Sequence, residues 1–296
     1  MHMRLAAIDI GSNAARLLIS EVRHNEVGEP EFAKLNLVRV PIRLGFDVFD
    51  TGEISPERTE MLVESLLAFR HLLKAYDVRH VKTCATSAMR DARNAHEVLS
   101  KVHAVTAFDI EVITGDAEAS LIYENHVAEH LNLQEAYLYI DVGGGSTELT
   151  LFAEGRMVGK KSFDIGTIRL LKGRLQESRW DDMKEYLKES TRGFGHVTAI
   201  GSGGNINKVF SLSKRKEGRP LTLEMLRDFH KEFSSCTLEQ RMVLYKLRED
   251  RADVIVPALQ IYISAMRWAG CEEIHVPKIG LADGLVQHLY REILRD

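Results

Sequence analysis

The sequence predicts an α/β protein of two similar domains, each a mixed β-sheet flanked by helices. Three observations carry that expectation. Ile8-Asp9-Ile10-Gly11-Ser12-Asn13-Ala14-Ala15-Arg16-Leu17-Leu18-Ile19 aligns without a gap on Ile140-Asp141-Val142-Gly143-Gly144-Gly145-Ser146-Thr147-Glu148-Leu149-Thr150-Leu151, an offset of 132 residues. That interval is too long for a solenoid period and suits two whole domains, each opening with a strand, a glycine turn and a second strand. Each copy is followed by alternating strand-like and helix-like segments, the order of an α/β sheet. The length of 296 residues is that of about two domains. The implied boundaries are 1–124, with the last helix (281–296) packing back on this domain, and 125–280, with a cleft between the two.

The elements follow in order. After the first hairpin Val38 to Leu44 reads as a strand, and Gly45 and Gly52 bracket a polar turn. Ser55-Pro56 starts a helix: serine caps, proline suits the first helical position, and Met61, Leu62, Leu66, Phe69, Leu73 and Tyr76 form an apolar stripe for the sheet. Val78 to Ala85 is a strand, Ser87 begins a helix, Ile110 to Ile113 is a short strand, and a helix runs from about Ala117 to His130. In the second half Val158 to Phe163 extends the hairpin sheet, and Val197 to Ile200 runs into Gly201-Ser202-Gly203-Gly204 with a helix from Asn205. Helices near 222–233, 237–247 and 252–268 precede a last strand, Glu273 to Val276. The final helix opens at Gly280, with Leu285, Leu289 and Ile293 on one face.

Composition excludes several classes. With 45% apolar and 28% charged residues the chain is an ordinary globular protein, and a formal charge of −4 gives no overall field for nucleic acid. Lys214-Arg215-Lys216 reads as a solvated loop. Cys84, Cys236 and Cys271 are an odd set without CxxC spacing, which argues against a disulfide framework and for a reducing cytoplasm. No stretch approaches the ~18 apolar residues of a membrane span, and the first strand begins too early to leave room for a secretion signal. The expectation is a cytoplasmic protein without membrane or nucleic-acid partners; a homodimer is compatible with the sequence but not written in it.

The chemistry lies in the turns. In each copy an acid ends a strand and glycines with small polar residues follow, so backbone N–H groups can hold phosphate oxygens while the acid orients a metal ion or water. Candidates are Gly11, Ser12 and Asn13 in the first copy, and Gly143, Gly144, Gly145 and Ser146 in the second, with Asp9, Asp141 and Glu148 as metal-side acids. Asp and Gly are also the common turn residues, but the repetition at the opening of two domains favours phosphate. Thr86 and Ser87, where a strand becomes a helix, read as caps. Arg90 and Arg93 share a helical face; a solvated pair is the plain alternative to a guanidinium that stabilises a phosphoryl group. Asp116 and Glu118 suit a helix N-terminus through the dipole alone, whereas next to a phosphate site Glu118 becomes a candidate general base. Gly201-Ser202-Gly203-Gly204 is either a tight turn or a contact for phosphate or nucleotide, with Gly203 the candidate. His126-Val127-Ala128-Glu129-His130 matches a short zinc pattern that lacks a third-ligand helix, and zinc is not expected.

Together these blocks resemble the exopolyphosphatase and guanosine pentaphosphate phosphohydrolase family of the actin, sugar kinase and Hsp70 superfamily. The carrying residues are Asp9 to Asn13, Ala85 to Ala88 with Arg90-Asp91-Ala92 and Asn94, Gly115 with Glu118-Ala119, Asp141 to Glu148, Gly166 to Leu170, Gly201 to Gly204, Arg251 to Ile255, and Gly280-Leu281 with Asp283-Gly284. The resemblance implies two actin-like (ribonuclease H-like) domains and hydrolysis of a terminal phosphoanhydride of polyphosphate or guanosine pentaphosphate. It implies Glu118 as the base, Arg90 on phosphate, Gly143 to Ser146 as the phosphate loop, and Asp141 and Glu148 with Mg²⁺ or Mn²⁺. Ala117, Ala14 and Ala282 depart from the family pattern; the first implies weaker metal binding and the last weaker affinity for a long anionic chain. The sequence resembles the family's short form, which implies a preference for shorter polyphosphates. A superfamily kinase and a non-catalytic guanosine tetraphosphate or nucleotide binder are the alternatives.

Overall fold

In the computed structural model, which describes residues 3–123, 135–277 and 280–295, the doubled phrase forms two β-hairpins of the same design. The chain divides into two units, Met1–His126 with Gly280–Asp296, and Val127–Ile279.

In the first unit β1 (Met3–Ile10), β2 (Ala15–His24) and β3 (Pro30–Val40) form an antiparallel meander, and β4 (His80–Ala85) and β5 (Glu111–Val112) add parallel to β1, in the order β3-β2-β1-β4-β5. The second unit repeats this. There β6 (Ala136–Val142), β7 (Thr147–Ala153) and β8 (Arg156–Phe163) form the meander, and β9 (Val197–Ser202) and β11 (Glu273–His275) the parallel extension, with β10 (Leu221–Thr222) antiparallel on the far edge. Both sheets are therefore mixed, as the sequence predicts.

Helices cover these sheets because their apolar stripes need a face. In the first unit α2 (Pro56–Ala75) is capped by Ser55, whose side chain accepts from Arg58 N–H, and buries Leu62, Leu66, Phe69 and Leu73, while Met61 points to solvent. Two short helices, α3 (Ser87–Asp91) and α4 (Ala95–Thr106), and then α5 (Gly115–Tyr123) follow. In the second unit α6 (Thr167–Leu171), α7 (Glu177–Ser190), α8 (Gly204–Leu212), α9 (Leu223–Ser234), α10 (Leu238–Leu244), α11 (Glu249–Ala252) and α12 (Ile255–Ala269) surround a core that includes Leu138, Ile140, Leu149, Phe233 and Leu259. The last helix, α13 (Leu281–Ile293), packs against β1, β2, β4 and α5.

Two readings are corrected. The strand expected over Val38 to Leu44 ends at Val40, and the segment read as a polar turn is a helix, α1 (Leu44–Thr51). Its glycines misled: Gly45 lies inside the helix and Gly52 closes it with φ +82°, its N–H on the Val48 carbonyl, while Leu44, Val48 and Phe49 are buried. The helix expected over 252–268 is α12, which starts at Ile255, after the separate short helix α11 has ended at Ala252. His126, Glu129 and His130, and the expected helix beyond Tyr123, lie outside the described residues.

Candidate functional site

Each unit carries its candidate residues at the carboxyl ends of its parallel strands, where ligands of open α/β sheets bind. In the first unit Gly11 N–H closes the β1–β2 turn on the Ala14 carbonyl at 3.0 Å. Asp9 is 3% exposed and faces Arg16 across the hairpin, with Arg16 Nη1 2.7 Å from its carboxylate. A carboxylate already neutralised by a guanidinium is a poor cation ligand, so we set Asp9 aside as a metal residue and read it as the brace of the turn. Ser12 and Ser87 share a buried hydroxyl–hydroxyl bond of 2.8 Å. The carbonyls of Ser12 and Asn13 accept from Gly45 N–H (2.8 Å) and Arg43 N–H (3.1 Å) at the start of α1. Thr86 is at the N-cap of α3 but makes no side-chain cap bond; the cap reading of Thr86 and Ser87 gives way to a tie between the turn and α3.

Arg90 donates from Nη1 to the Ile113 carbonyl at 2.9 Å, joining α3 to the strand end that leads into α5. There Thr114 Oγ1 accepts from Ala117 N–H at 3.1 Å, fixing the turn on which Glu118 sits. The charge of Glu118 reaches Cys84 at the end of β4. Burial pushes the Cys84 thiol well above its ordinary pKa, and the charges of Asp9, Glu118 and Glu111 push it further. That thiol stays protonated. Arg93 is 67% exposed, pairs with Glu53 at 3.2 Å and donates to the Thr51 carbonyl at 3.0 Å. A Cβ on Gly52 would lie 2.5 Å from its Nη1. These partners make Arg93 a clamp on the end of α1, and we set aside its phosphate role. Asn94 exchanges two bonds of 2.9 Å with the backbone of Ile54.

In the second unit Gly143 N–H bonds the Ser146 carbonyl at 2.9 Å, the same closure as in the first hairpin. The rest differs. Thr167 and Ile168, at the start of α6, donate their N–H groups to the carbonyls of Gly143 (3.0 Å) and Gly144 (2.8 Å), and Arg169 Nε donates to the carbonyl of Gly145 at 2.7 Å. Every loop carbonyl from 143 to 145 is thus occupied. Among the described residues the N–H groups of Gly144 and Gly145 donate to no backbone carbonyl. Gly166 must be glycine, since a Cβ there would overlap the backbone of Gly144 and Gly145.

Asp141 and Glu148 are register partners across β6 and β7, and Glu148 is 1% exposed. In the first hairpin the equivalent pair is acid against arginine; here it is acid against acid. Like charges directly opposite in a sheet repel, and two oxygen ligands so placed are what a hard divalent cation requires. Ser162 on β8 donates to Glu148 Oε1 at 3.0 Å. Gly203, at φ +113°, passes so close that a Cβ would sit 3.3 Å from Asp141 Oδ1. Tyr262 is buried, its hydroxyl donates to the Ser202 carbonyl, and burial followed by the charges of Asp141 and Tyr139 raises its pKa well above the ordinary value. Arg251 packs over Gly204 and reaches Asn205 Oδ1 at 3.4 Å.

Sequence reasoning gave Ser87 only a cap role, Cys84 only that of a lone cysteine and Arg169 only a place in the family resemblance, and it missed Ser162 and Tyr262 altogether. Ser87, Cys84, Arg169 and Ser162 stand in register with, or directly bonded to, candidate residues; Tyr262 is remote in sequence and carried no signal.

The sequence model of the Ppx/GppA phosphatase family matches residues 23–292. Exopolyphosphatase 2 of Mycobacterium tuberculosis (strain ATCC 25618 / H37Rv) is 34% identical over 172 residues, 56% of this chain and 53% of that protein. The guanosine-5'-triphosphate,3'-diphosphate pyrophosphatase of Aeromonas hydrophila is 27% identical over 300 residues, 96% of this chain and 59% of that protein. The chain thus spans little more than half the length of these relatives. Among solved structures, the Aquifex aeolicus member of the Ppx/GppA family is 25% identical, with 99% of each chain covered and a TM-score of 0.75. An exopolyphosphatase from Cytophaga hutchinsonii is 24% identical over 98% of each chain, with a TM-score of 0.82, a likeness of fold.

Proposed function

The chain belongs to the Ppx/GppA phosphatase family, and from that premise we propose that it is a hydrolase releasing terminal phosphate from inorganic polyphosphate, and from guanosine pentaphosphate by the same phosphoanhydride chemistry. One observation carries the reading: the second Asp-Gly turn has its carbonyls occupied, its glycine amides donate to no backbone carbonyl among the described residues, and it stands beside two acids that face each other across the hairpin. Such a turn accepts anionic oxygens through N–H groups while the acids require a cation.

In this reading Gly143 to Ser146 hold the terminal phosphoryl group, with Gly203 keeping the backbone close to Asp141. Asp141 and Glu148 would hold a divalent ion, Mg²⁺ or Mn²⁺, which when bound neutralises charge on the anhydride oxygens. Glu118 accepts the proton of the attacking water. Arg90, fixed on the Ile113 carbonyl, keeps further donors for equatorial phosphoryl oxygens and holds the start of α5 in place. Gly11, Ser12 and Asn13 supply a second rigid turn for phosphate. Positioning and charge stabilisation dominate phosphoryl transfer, which suits a site built from braced turns. Cys84, Cys236 and Cys271 are free thiols, in keeping with a cytoplasmic enzyme, and no described helix is long and apolar enough to cross a membrane.

The test is phosphate release from polyphosphates of defined length and from guanosine pentaphosphate, each with Mg²⁺, Mn²⁺ or chelator. Metal-dependent phosphate is expected from polyphosphate. ADP formation from ATP and a sugar acceptor, with no phosphate from polyphosphate, would overturn the reading in favour of a kinase.

A further inference from the structure

Four residues form a row across the second sheet. Ser162 on β8, Glu148 on β7, Asp141 on β6 and Ser202 on β9 are successive register partners, so their side chains share one face. The row is symmetric in chemistry, with a hydroxyl at each end and the two acids between. Its ends are not equally satisfied. Ser162 donates to Glu148 at 3.0 Å. Ser202 is 1% exposed, and its Oγ has no hydrogen-bond partner among the described residues.

Buried hydroxyls are almost always partnered, and one left alone beside a ligand site calls for an explanation. Its backbone is held firmly. The Tyr262 hydroxyl grips the Ser202 carbonyl, and Gly203 turns the chain tightly past Asp141. The first sheet supplies a contrast. There the equivalent row is Arg16, Asp9 and Cys84, in which the acid is neutralised by protein and the position matching Ser202 holds an apolar, protonated thiol.

We propose that Ser202 is a positioning residue of the cation site, its buried hydroxyl being the partner of a water carried by the divalent ion that Asp141 and Glu148 hold. Small divalent ions bound by one or two carboxylates keep several waters, and the groups that orient those waters set affinity. The inference rests on the function proposed above only for the assignment of Asp141 and Glu148 as the cation's carboxylates.

The experiment is titration of the substrate-free protein with Mn²⁺, read by electron paramagnetic resonance, alongside thermal melting without metal, for wild type, Ser202→Ala and Ser202→Thr. Ser202→Ala should weaken Mn²⁺ binding by about tenfold with no fall in the metal-free melting temperature, and Ser202→Thr, which keeps the hydroxyl, should restore affinity. Unchanged Mn²⁺ affinity in Ser202→Ala overturns the inference. So does a lowered metal-free melting temperature in that variant, which would make the hydroxyl structural. If Mn²⁺ binding depends on Ser202 but the wild-type protein releases no phosphate, the hydrolase reading falls and this inference stands.

Discussion

At the scale of single residues, the two copies of the doubled phrase differ at the partner of the strand-end acid: Arg16 faces Asp9, and Glu148 faces Asp141. In the function proposed above, that change of charge is what would make the second hairpin a cation site, where the first is neutralised by its own arginine. Glu148→Gln should therefore lose metal-activated turnover, and with it the like-charge repulsion, so its metal-free melting temperature should equal or exceed that of wild type. Calorimetry with and without Mg²⁺ checks both. The converse holds for Asp9→Asn, which leaves Arg16 without its 2.7 Å carboxylate partner. This variant should lose stability, by about 1–3 kcal/mol for a part-buried charged bond, measured by denaturant unfolding, and should leave Mn²⁺ affinity unchanged.

At the scale of elements, the second Asp-Gly turn is held from behind by α6, whose first N–H groups and Arg169 occupy its carbonyls. Gly166 makes that contact possible. Gly166→Ala would force the loop backbone away, at a cost of about 1–3 kcal/mol by overpacking. The outcome expected is a raised KM for polyphosphate, read by steady-state phosphate release. Much of this was legible in the sequence. The Ser55-Pro56 start, both hairpins and the strand into Gly201 stand where residue pattern puts them, because caps, glycine turns and apolar alternation are local signals. What escaped is what local pattern does not encode. Gly45 looked like turn punctuation, yet the first turn's carbonyls receive the N–H groups of Arg43 and Gly45 and so seed α1. Arg93 looked like a phosphate ligand until Glu53 and Thr51 came into reach of it. Ser162 and Ser202 stand beside Glu148 and Asp141 through strand register, which a single sequence does not display.

At the scale of the whole molecule, the first unit is discontinuous, since α13 returns to the sheet that opens the chain. Leu281, Leu285, Val286, Leu289 and Tyr290 are buried there, and Lys34–Asp283 (2.6 Å), Lys82–Glu292 (3.1 Å) and His24–Tyr290 (3.0 Å) pin the helix along its length. Five such side chains at about 1.5–3 kcal/mol each match the whole stability of a typical domain, about 5–15 kcal/mol. Truncation before Gly280 should accordingly leave the first unit unfolded, seen as rapid proteolysis within residues 3–123. Phosphate release should then be lost even with every residue of the second Asp-Gly turn intact.

The most direct test of the central claim compares wild type with Glu118→Gln on polyphosphate of one defined length with Mg²⁺, following phosphate release and product lengths together. Wild type should shorten chains one phosphate at a time, and Glu118→Gln should bind the chains while releasing phosphate about 10²–10⁴-fold more slowly. Undiminished release by Glu118→Gln, or products cut within the chain, would contradict the account.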